Sequence, residues 1–105
     1  MSKPGFKLSL RATQSYRQIG RYTRDRYGVA QMQDYLAHLL SRCRLLADGH
    51  LPSRSCRMVF EEDLREDLRV VTAGQHYIIF TETADGIVVV DFLHQSADIA
   101  ARLER

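Results

Sequence analysis

The side chains best suited to acid–base chemistry lie in the second half of the chain. His76 and Tyr77 begin a short apolar run, and His94 ends the run Ile-Val-Val-Val-Asp-Phe-Leu. General acid–base chemistry at a phosphate requires a base, an acid and cations around the phosphate. His76, Tyr77 and His94 are the candidate acids and bases, and Arg65 and Arg69 are the candidate cations. Acid–base catalysis is therefore one class of function to test against the rest of the sequence.

His94 also has a structural interpretation. A single histidine at the end of an apolar strand more often bonds a backbone carbonyl and anchors the following turn than acts as a base. Gln95 would then satisfy backbone groups where the strand stops, and Asp98 is placed to cap a helix that begins near Ile99. The Gln, Ser and Ala that follow His94 do not titrate usefully. The pattern favours a joint that sets the angle of a terminal helix.

No metal or cofactor site can be assembled from the sequence. His38 and His50 have no partner at metal-binding spacing, and there is no Cys-x-x-Cys pair. A phosphate-binding glycine loop and a Ser/His/Asp constellation are absent from the sequence as well. Cys43 and Cys56 are its only cysteines, so we expect reduced thiols and no disulfide framework.

The elements that would carry these residues begin with a strand and two helices. Residues 6–11 alternate apolar and polar types, which predicts a strand with one buried face. Helical spacing then predicts a first helix over 12–27, which Gly28 ends. A second apolar stripe over residues 29–48 is closed by Gly49. The two helices should form a hairpin with a very short turn.

The rest of the chain has the pattern of an antiparallel sheet. Residues 49–63 show no clean period and predict an irregular connection. Strands are predicted over 68–73, 76–83 and 87–94, and the Asp-Gly pair before the last strand indicates a β-hairpin. Simple alternation places Val88, Val90 and Phe92 on one face of the last strand and Ile87, Val89 and Leu93 on the other.

Both faces of this sheet are apolar and need cover. The helical hairpin should cover one face, and the tail or a partner should cover the other. Residues 96–103 offer one to two turns of helix, which is too short to be stable alone and must dock on the sheet. The sequence therefore predicts one α+β domain over 1–105, in which an N-terminal strand and a helical hairpin pack on an antiparallel sheet with a short C-terminal helix.

Charge is distributed unevenly along the chain. Residues 1–60 carry eleven Lys and Arg against three acids, while residues 61–105 carry four Arg against ten acids, so halves of +8 and −6 give a net +2. A basic N-terminal half suits an acidic partner or a nucleic-acid backbone, although the arginines could equally be a solvated helix face. No run is long enough to cross a membrane and the N-terminus lacks a signal-peptide core, so we expect a cytoplasmic protein.

The C-terminal motif resembles that of a known family. The string His76-Tyr77-Ile78-Ile79-Phe80, the hairpin at Asp85-Gly86-Ile87 and the segment Leu93-His94-Gln95-Ser96-Ala97-Asp98-Ile99 resemble the ParE branch of the RelE/ParE toxin superfamily. The resemblance implies a toxin of a bacterial type II toxin–antitoxin pair that inhibits DNA gyrase. It also implies neutralisation by a ParD-like antitoxin with a ribbon-helix-helix fold and an acidic C-terminal tail. Contact with operator DNA would occur only through the antitoxin, within a hetero-oligomer.

Two surfaces follow from this resemblance. A groove between the hairpin and the sheet would receive an antitoxin helix through apolar anchors and basic residues, namely Tyr16, Arg17, Ile19, Arg21, Tyr22, Arg24, Tyr35 and Leu39. Ile19 and Leu39 are equally suited to the protein's own core. The target would meet the C-terminal region and nearby charges, namely Arg65, Arg69, His94, Gln95, Asp98, Arg102 and Arg105.

Two other functions stay open at this stage. The RelE-like relatives cleave ribosome-bound mRNA, but this chain lacks the basic and aromatic cluster that those nucleases carry at their C-terminal end. A domain that binds an antitoxin without being toxic is the other alternative. The chain also has Asp91 where such toxins often carry a basic or apolar residue; this acid would either pair with Arg65 or Arg69 in a structural role or alter the contact with the target.

Overall fold

Residues 5–103 are described by the computed structural model, and they form the predicted α+β arrangement. Ser9 caps the first helix by accepting a hydrogen bond from the Ala12 N–H at 3.0 Å, so that helix starts before the predicted residue 12 and the first strand is shorter than predicted. The predicted irregular connection contains a short strand and a short helix. The elements are β1 (Gly5–Leu8), α1 (Leu10–Tyr27), α2 (Val29–Ala47), β2 (Arg54–Ser55), α3 (Cys56–Phe60), β3 (Arg69–Ala73), β4 (His76–Thr83), β5 (Gly86–His94) and α4 (Ile99–Leu103).

The strands form one sheet in the order β1-β5-β4-β3-β2. The pairs β3–β4 and β4–β5 are antiparallel, as predicted from the Asp-Gly turn and the apolar runs. β1 instead pairs with β5 in parallel, which makes the sheet mixed. Gly86 allows this pairing because it has φ +137° and a Cβ there would lie 1.8 Å from the Gly5 carbonyl oxygen.

A β-bulge in β5 changes which side chains share a face. Ile79 pairs with Asp91 while Phe80 pairs with Val89, so Val90 has no opposite residue on β4. The alternation predicted from the sequence is therefore wrong for this strand, because the extra residue shifts the pattern by one position. Ile87, Val89 and Phe92 face the helical hairpin, whereas Val90 and Leu93 face the opposite side.

The helical hairpin covers one face of the sheet and forms the larger core. Gly20 of α1 lets α2 approach closely, since a Cβ there would lie 3.1 Å from a methyl carbon of Leu36. The buried members of this core come from α1, α2 and the sheet, and they are Ala12, Ile19, Leu39, Cys43, Leu46, Ala47, Ala73, Ile78, Phe80, Ile87, Val89 and Phe92.

A second core lies on the other face of the sheet, as expected from the apolar residues predicted on both faces. It is covered by α3, by the connection after α3 and by α4, so the chain's own tail supplies much of the cover. Leu103 of α4 is buried here, and Ile99 packs against the cluster. The buried members are Cys56, Leu64, Leu68, Val70, Ile79, Leu93 and Leu103.

Candidate functional site

An open groove of about 640 Å³ lies between the helical hairpin and one end of the sheet. Its walls come from the second half of α1 and the first half of α2, and its floor comes from the β3–β4 turn and the end of β5. The residues Tyr22 and Tyr27 are 58% and 56% exposed, so the groove presents aromatic surface to solvent. The lining residues are Gln18, Ile19, Tyr22, Thr23, Tyr27, Gln31, Tyr35, Gly74, Gln75, His76, His94 and Ser96.

Tyr35 ties α2 to the floor of this groove. The Gln75 N–H donates to the Tyr35 hydroxyl oxygen at 3.1 Å, which leaves the hydroxyl hydrogen free to donate. Its nearest acceptor is Nδ1 of His76 at 2.5 Å, with the Ala73 carbonyl oxygen farther away at 3.5 Å. Burial raises the pKa of Tyr35, so the hydroxyl stays protonated and keeps this donor role.

His76 is held in its neutral form. Burial, together with the neighbouring His94 ring, lowers the pKa of His76 from 6.5 to about 4. The two rings are cross-strand partners and meet edge to face with centroids 5.2 Å apart. A neutral ring whose Nδ1 already accepts from Tyr35 has no proton to give from that nitrogen, and a pKa near 4 makes it a weak base at neutral pH. The arrangement suits a structural support of the groove.

Gly74 permits the close contact between the β3–β4 turn and Tyr35. Its φ is +59°, a conformation that favours glycine. A Cβ at this position would lie 2.6 Å from Cε1 and 2.8 Å from the hydroxyl oxygen of Tyr35. The groove floor therefore depends on the absence of a side chain at residue 74.

The turn after β5 joins the sheet to α4 through polar contacts, as its residue types predict. The Ser96 N–H donates to Nδ1 of His94 at 3.1 Å, so this ring bonds an amide and not the carbonyl expected from the sequence. The Gln95 side chain donates to the Gly74 carbonyl oxygen at 3.3 Å. Asp98 caps α4, because its Oδ1 accepts the Ala101 N–H at 3.2 Å. These contacts join the start of α4 to the groove floor.

The structure separates the predicted antitoxin-binding residues into three groups. Ile19, Tyr22 and Tyr35 line the groove. Leu39 has no exposed surface and belongs to the core, which is the alternative that its helical position left open. Tyr16 packs against that core and lies 6.0 Å from the Phe92 ring. The third group is exposed along α1 and consists of Arg17, Arg21 and Arg24.

The predicted target-binding residues do not form one surface. Arg69 pairs with Phe80 at the start of β3, whereas His94 pairs with His76 at the opposite end of the sheet. Arg69 donates to Ser53, and Arg65 donates to Asp67 at 2.7 and 3.0 Å. His94, Gln95 and Asp98 do lie together with α4, next to the groove, while Arg105 is outside the described residues.

Asp91 has different partners from those predicted. Its Oδ1 accepts a hydrogen bond from the Ser15 hydroxyl at 2.5 Å, and its Oδ2 lies 3.8 Å from a guanidinium nitrogen of Arg102. Arg65 and Arg69 are engaged elsewhere. The prediction was wrong because Asp91 lies beyond the end of β1, which pairs with residues 86–89 of β5, and its side chain contacts α1 and α4 and not β3.

Several groove residues carried no signal strong enough to find them from the sequence. Gln75 contributes its backbone N–H, which any residue but proline would supply. Tyr27 and Gln31 reach the groove only because α1 and α2 turn back on each other. The Gly-Gln pair before His76 was a detectable turn signal, but its contact with Tyr35 required the tertiary structure.

The remaining groups that could react or bind a metal are the two cysteines and the other titratable side chains of the described residues. Cys43 and Cys56 are free and buried, and burial raises the pKa of each thiol to about 12. Within residues 5–103, no cluster of three or more His, Cys, Asp or Glu side chains could hold a metal ion. None of the helices in that range is long and apolar enough to cross a lipid bilayer.

Comparison with known proteins places this arrangement in a family. A family profile described as "ParE toxin of type II toxin-antitoxin system, parDE" matches residues 6–99. The toxin ParE of Escherichia coli is 32% identical over 97 residues, covering 91% of this chain and 89% of that protein. The toxin ParE1 of Mycobacterium tuberculosis is 30% identical over 99 residues, covering 93% of this chain and 96% of that protein.

A solved structure shares the fold despite low sequence similarity. The structure titled "Chromosomal ParDE TA system from P. aeruginosa" matches with a TM-score of 0.69 at 10% identity, covering 88% of this chain and 96% of that chain. The match supports the fold alone. Taken with the profile and the curated relatives, the chain belongs to the ParE toxin family of type II toxin–antitoxin systems.

Proposed function

We propose that this toxin inhibits DNA gyrase and is held inactive by a ParD-like antitoxin that inserts an apolar segment into the aromatic groove. The exposed rings of Tyr22 and Tyr27 carry the antitoxin part of this proposal, and membership of the ParE toxin family supports the gyrase part. Large aromatic side chains that a folded domain leaves in a concave, solvent-facing groove are typical anchors for a partner. The antitoxin would be a ribbon-helix-helix protein with an acidic C-terminal tail, and the complex a hetero-oligomer.

The charge around the groove supports an acidic partner. Arg17 and Arg21 lie exposed on α1, and neither forms an ion pair with any residue of the range 5–103. Arg26 lies over the Tyr22 ring at 5.5 Å, which adds a cation to the groove rim. An acidic segment that follows an apolar anchor would meet these arginines, and the charges would favour its encounter and orientation.

Binding of the antitoxin can be tested at the groove itself. Tyr22→Ala should weaken the complex about tenfold or more, because an aromatic anchor at an interface is worth on the order of 2 kcal/mol. Met58→Ala is the matched control, since Met58 is an even more exposed apolar residue, at 80%, but lies on α3, outside the groove. Isothermal titration with the purified cognate antitoxin gives both affinities. Equal affinities of the two variants would contradict the groove as the docking site.

The target can be tested with purified toxin in a supercoiling assay. We expect inhibition of gyrase by the free toxin, relief by the antitoxin, and filamentous cells with an SOS response after induction. Codon-specific mRNA cleavage before any replication defect would instead establish the nuclease alternative. Normal growth with soluble, antitoxin-free toxin in the cell would identify a non-toxic antitoxin-binding domain.

The variant His94→Gln tests whether His94 acts as a catalytic base or as a structural anchor. If His94 anchors the hinge, as its bond to the Ser96 amide suggests, this variant should lose thermal stability but keep most of its inhibitory potency per folded molecule. A general base would lose nearly all activity at unchanged stability. Thermal unfolding and potency measured on the same preparations distinguish the two roles.

A further inference from the structure

Asp91 is a buried acid that the groove does not use. Its side chain is 0% exposed, and it is the one acidic residue in the buried part of the chain between residues 5 and 103. Oδ1 accepts hydrogen bonds from the Ser15 hydroxyl at 2.5 Å and from the Phe92 N–H at 2.8 Å. Oδ2 is buried and has no hydrogen-bond donor among the residues described. One carboxylate oxygen, Oδ1, is therefore hydrogen-bonded to β5 and α1, and the other, Oδ2, is not hydrogen-bonded within this part of the chain.

The cation facing the unsatisfied oxygen comes from the terminal helix. A guanidinium nitrogen of Arg102 lies 3.8 Å from Oδ2, and the Arg102 side chain is 51% exposed. The same turn of α4 is held by Arg11, which donates to the Arg102 carbonyl oxygen at 2.8 Å, and by Leu103, which is buried in the second core. Arg102 thus closes the site from the α4 side.

We infer that Asp91 and Arg102 form a latch that holds α4 against β5 and so positions the C-terminal surface of the toxin. A helix of five residues has no stability of its own and stays folded only where it docks. A buried carboxylate with an unpaired oxygen is strongly unfavourable. When Arg102 is absent, the buried Oδ2 loses the cation that faces it, so loss of the pair favours undocking of the helix, which would let water reach this oxygen.

The latch assigns Arg102 a role different from direct target contact. Its guanidinium is turned toward Asp91, which makes Arg102 a positioning residue for α4. The inference concerns the surface that the proposed function uses, but its main test needs neither gyrase nor the antitoxin. Failure of the gyrase proposal would leave the behaviour of α4 unchanged.

Hydrogen exchange on four purified toxins tests the latch: wild type, Arg102→Gln, Asp91→Asn and the double variant. In Arg102→Gln, amides of residues 99–103 should exchange roughly tenfold faster than in wild type, because the buried charge has lost its counter-ion. In the Asp91→Asn background, the same Arg102→Gln change should have little effect, since a neutral amide needs no cation. Arg65→Gln is the control, because Arg65 is paired with Asp67 at the surface and belongs neither to β5 nor to α4.

If Asp91→Asn removes the effect of Arg102→Gln on exchange, the two residues act as a pair, because a purely local packing role of Arg102 would not depend on the residue at position 91. If Arg102→Gln accelerates exchange equally with Asp or Asn at position 91, or does not accelerate it at all, the latch is wrong. Thermal unfolding of the four proteins is measured in parallel, and exchange in β4 reports whether each variant is globally folded. If Arg102→Gln also weakens gyrase inhibition and the double variant restores it, the latch positions the target surface. If gyrase inhibition does not change in parallel with the exchange rates of residues 99–103, α4 is not the target contact, although the latch stands.

Discussion

At the scale of single residues, the groove floor depends on one hydroxyl and one missing side chain. The Tyr35 hydroxyl accepts from Gln75 and donates to His76, so a single group orders both the backbone of the β3–β4 turn and the first ring of β4. Gly74 makes room for it. The histidines that the sequence offered as acids and bases are thereby held by structural contacts, with His76 bonded to Tyr35 and His94 bonded to Ser96.

The lowered pKa of His76 predicts a specific loss of stability in acid. The unfolded chain binds a proton at His76 below pH 6.5, whereas the folded protein resists protonation down to about pH 4. Between these values the unfolded state holds more protons, so the free energy of unfolding should fall as the pH is lowered through this window. After allowance for partial exposure of the ring, the loss should be about 1–2 kcal/mol.

Denaturant unfolding of wild type and His76→Gln at intervals from pH 7 to pH 4 measures this effect. The glutamine variant keeps a polar group at the site but cannot titrate, so its stability should depend less on pH than that of wild type. Parallel curves for the two proteins would show that His76 is not the group responsible.

Gly74→Ala should lower the free energy of unfolding by more than the usual cost of a non-glycine residue in the left-handed conformation. Gly49 provides the matched control, because its φ of +78° is also positive but an added Cβ there would have nothing within 4 Å. Gly49→Ala should cost about 1 kcal/mol for backbone strain alone. Gly74→Ala should cost about 1–3 kcal/mol more, because the Tyr35 ring must move. Chemical denaturation gives both values, and equal losses would mean that Tyr35 adapts freely.

At the scale of elements, α4 belongs to the core of the domain as well as to its surface. Ile99 and Leu103 pack on the face of the sheet opposite the hairpin, where Val90 and Leu93 are exposed to α4 by the bulge in β5. The Gln95 and His94 contacts join the start of α4 to the groove floor. The two proposed surfaces, for antitoxin and for target, are therefore connected through one short hinge.

Deletion of residues 99–105 should separate these two surfaces. The truncated toxin loses the cover of Leu93 and Ile79, so we expect a loss of about 2–4 kcal/mol in stability from exposure of apolar surface. It should also lose inhibition of gyrase while still binding the antitoxin, because the lining of the groove is intact. Pull-down with the antitoxin serves as the control for folding, and full inhibition by a truncated toxin that binds antitoxin would place the target surface elsewhere.

At the scale of the whole molecule, the uneven charge of the sequence gives the helical hairpin an excess of basic residues. Residues 10–47 carry seven arginines against two aspartates, and this segment forms α1 and α2 beside the groove. Most of the acids lie after residue 60, in the strands, their connections and the tail. The helical hairpin is thus the basic part of the chain, and in the proposed function it faces a partner of opposite charge.

This arrangement predicts that antitoxin binding depends on salt mainly through its association rate. Raising ionic strength from about 0.05 M to about 0.5 M shortens the screening length severalfold, and the association rate should fall by roughly tenfold or more. The dissociation rate, governed by the aromatic anchors, should change little. Surface plasmon resonance over a salt series measures both rates, with the variant Arg17→Gln/Arg21→Gln as the control that should show a shallower dependence. A salt effect confined to dissociation would argue against steering by α1.

Much of the fold followed from local patterns. The helical hairpin, the three antiparallel strands and the terminal helix come from apolar spacing, from Gly28 and from the Asp-Gly turn, all of which act within a few residues of chain. The hinge roles of Gln95 and Asp98 followed in the same way, because strand ends and helix caps use the side chains beside them.

Contacts between distant residues were decided only by the tertiary structure. The parallel pairing of β1 with β5, the bulge at Val90 and the partners of Asp91 join residues more than 70 positions apart or depend on sheet register, which alternation alone does not encode. Whether a helical residue such as Leu39 or Tyr22 faces the core or the groove depended in the same way on how the hairpin lies on the sheet. The sequence by itself determined most of the elements and the family, and packing decided which side chains are left for a partner.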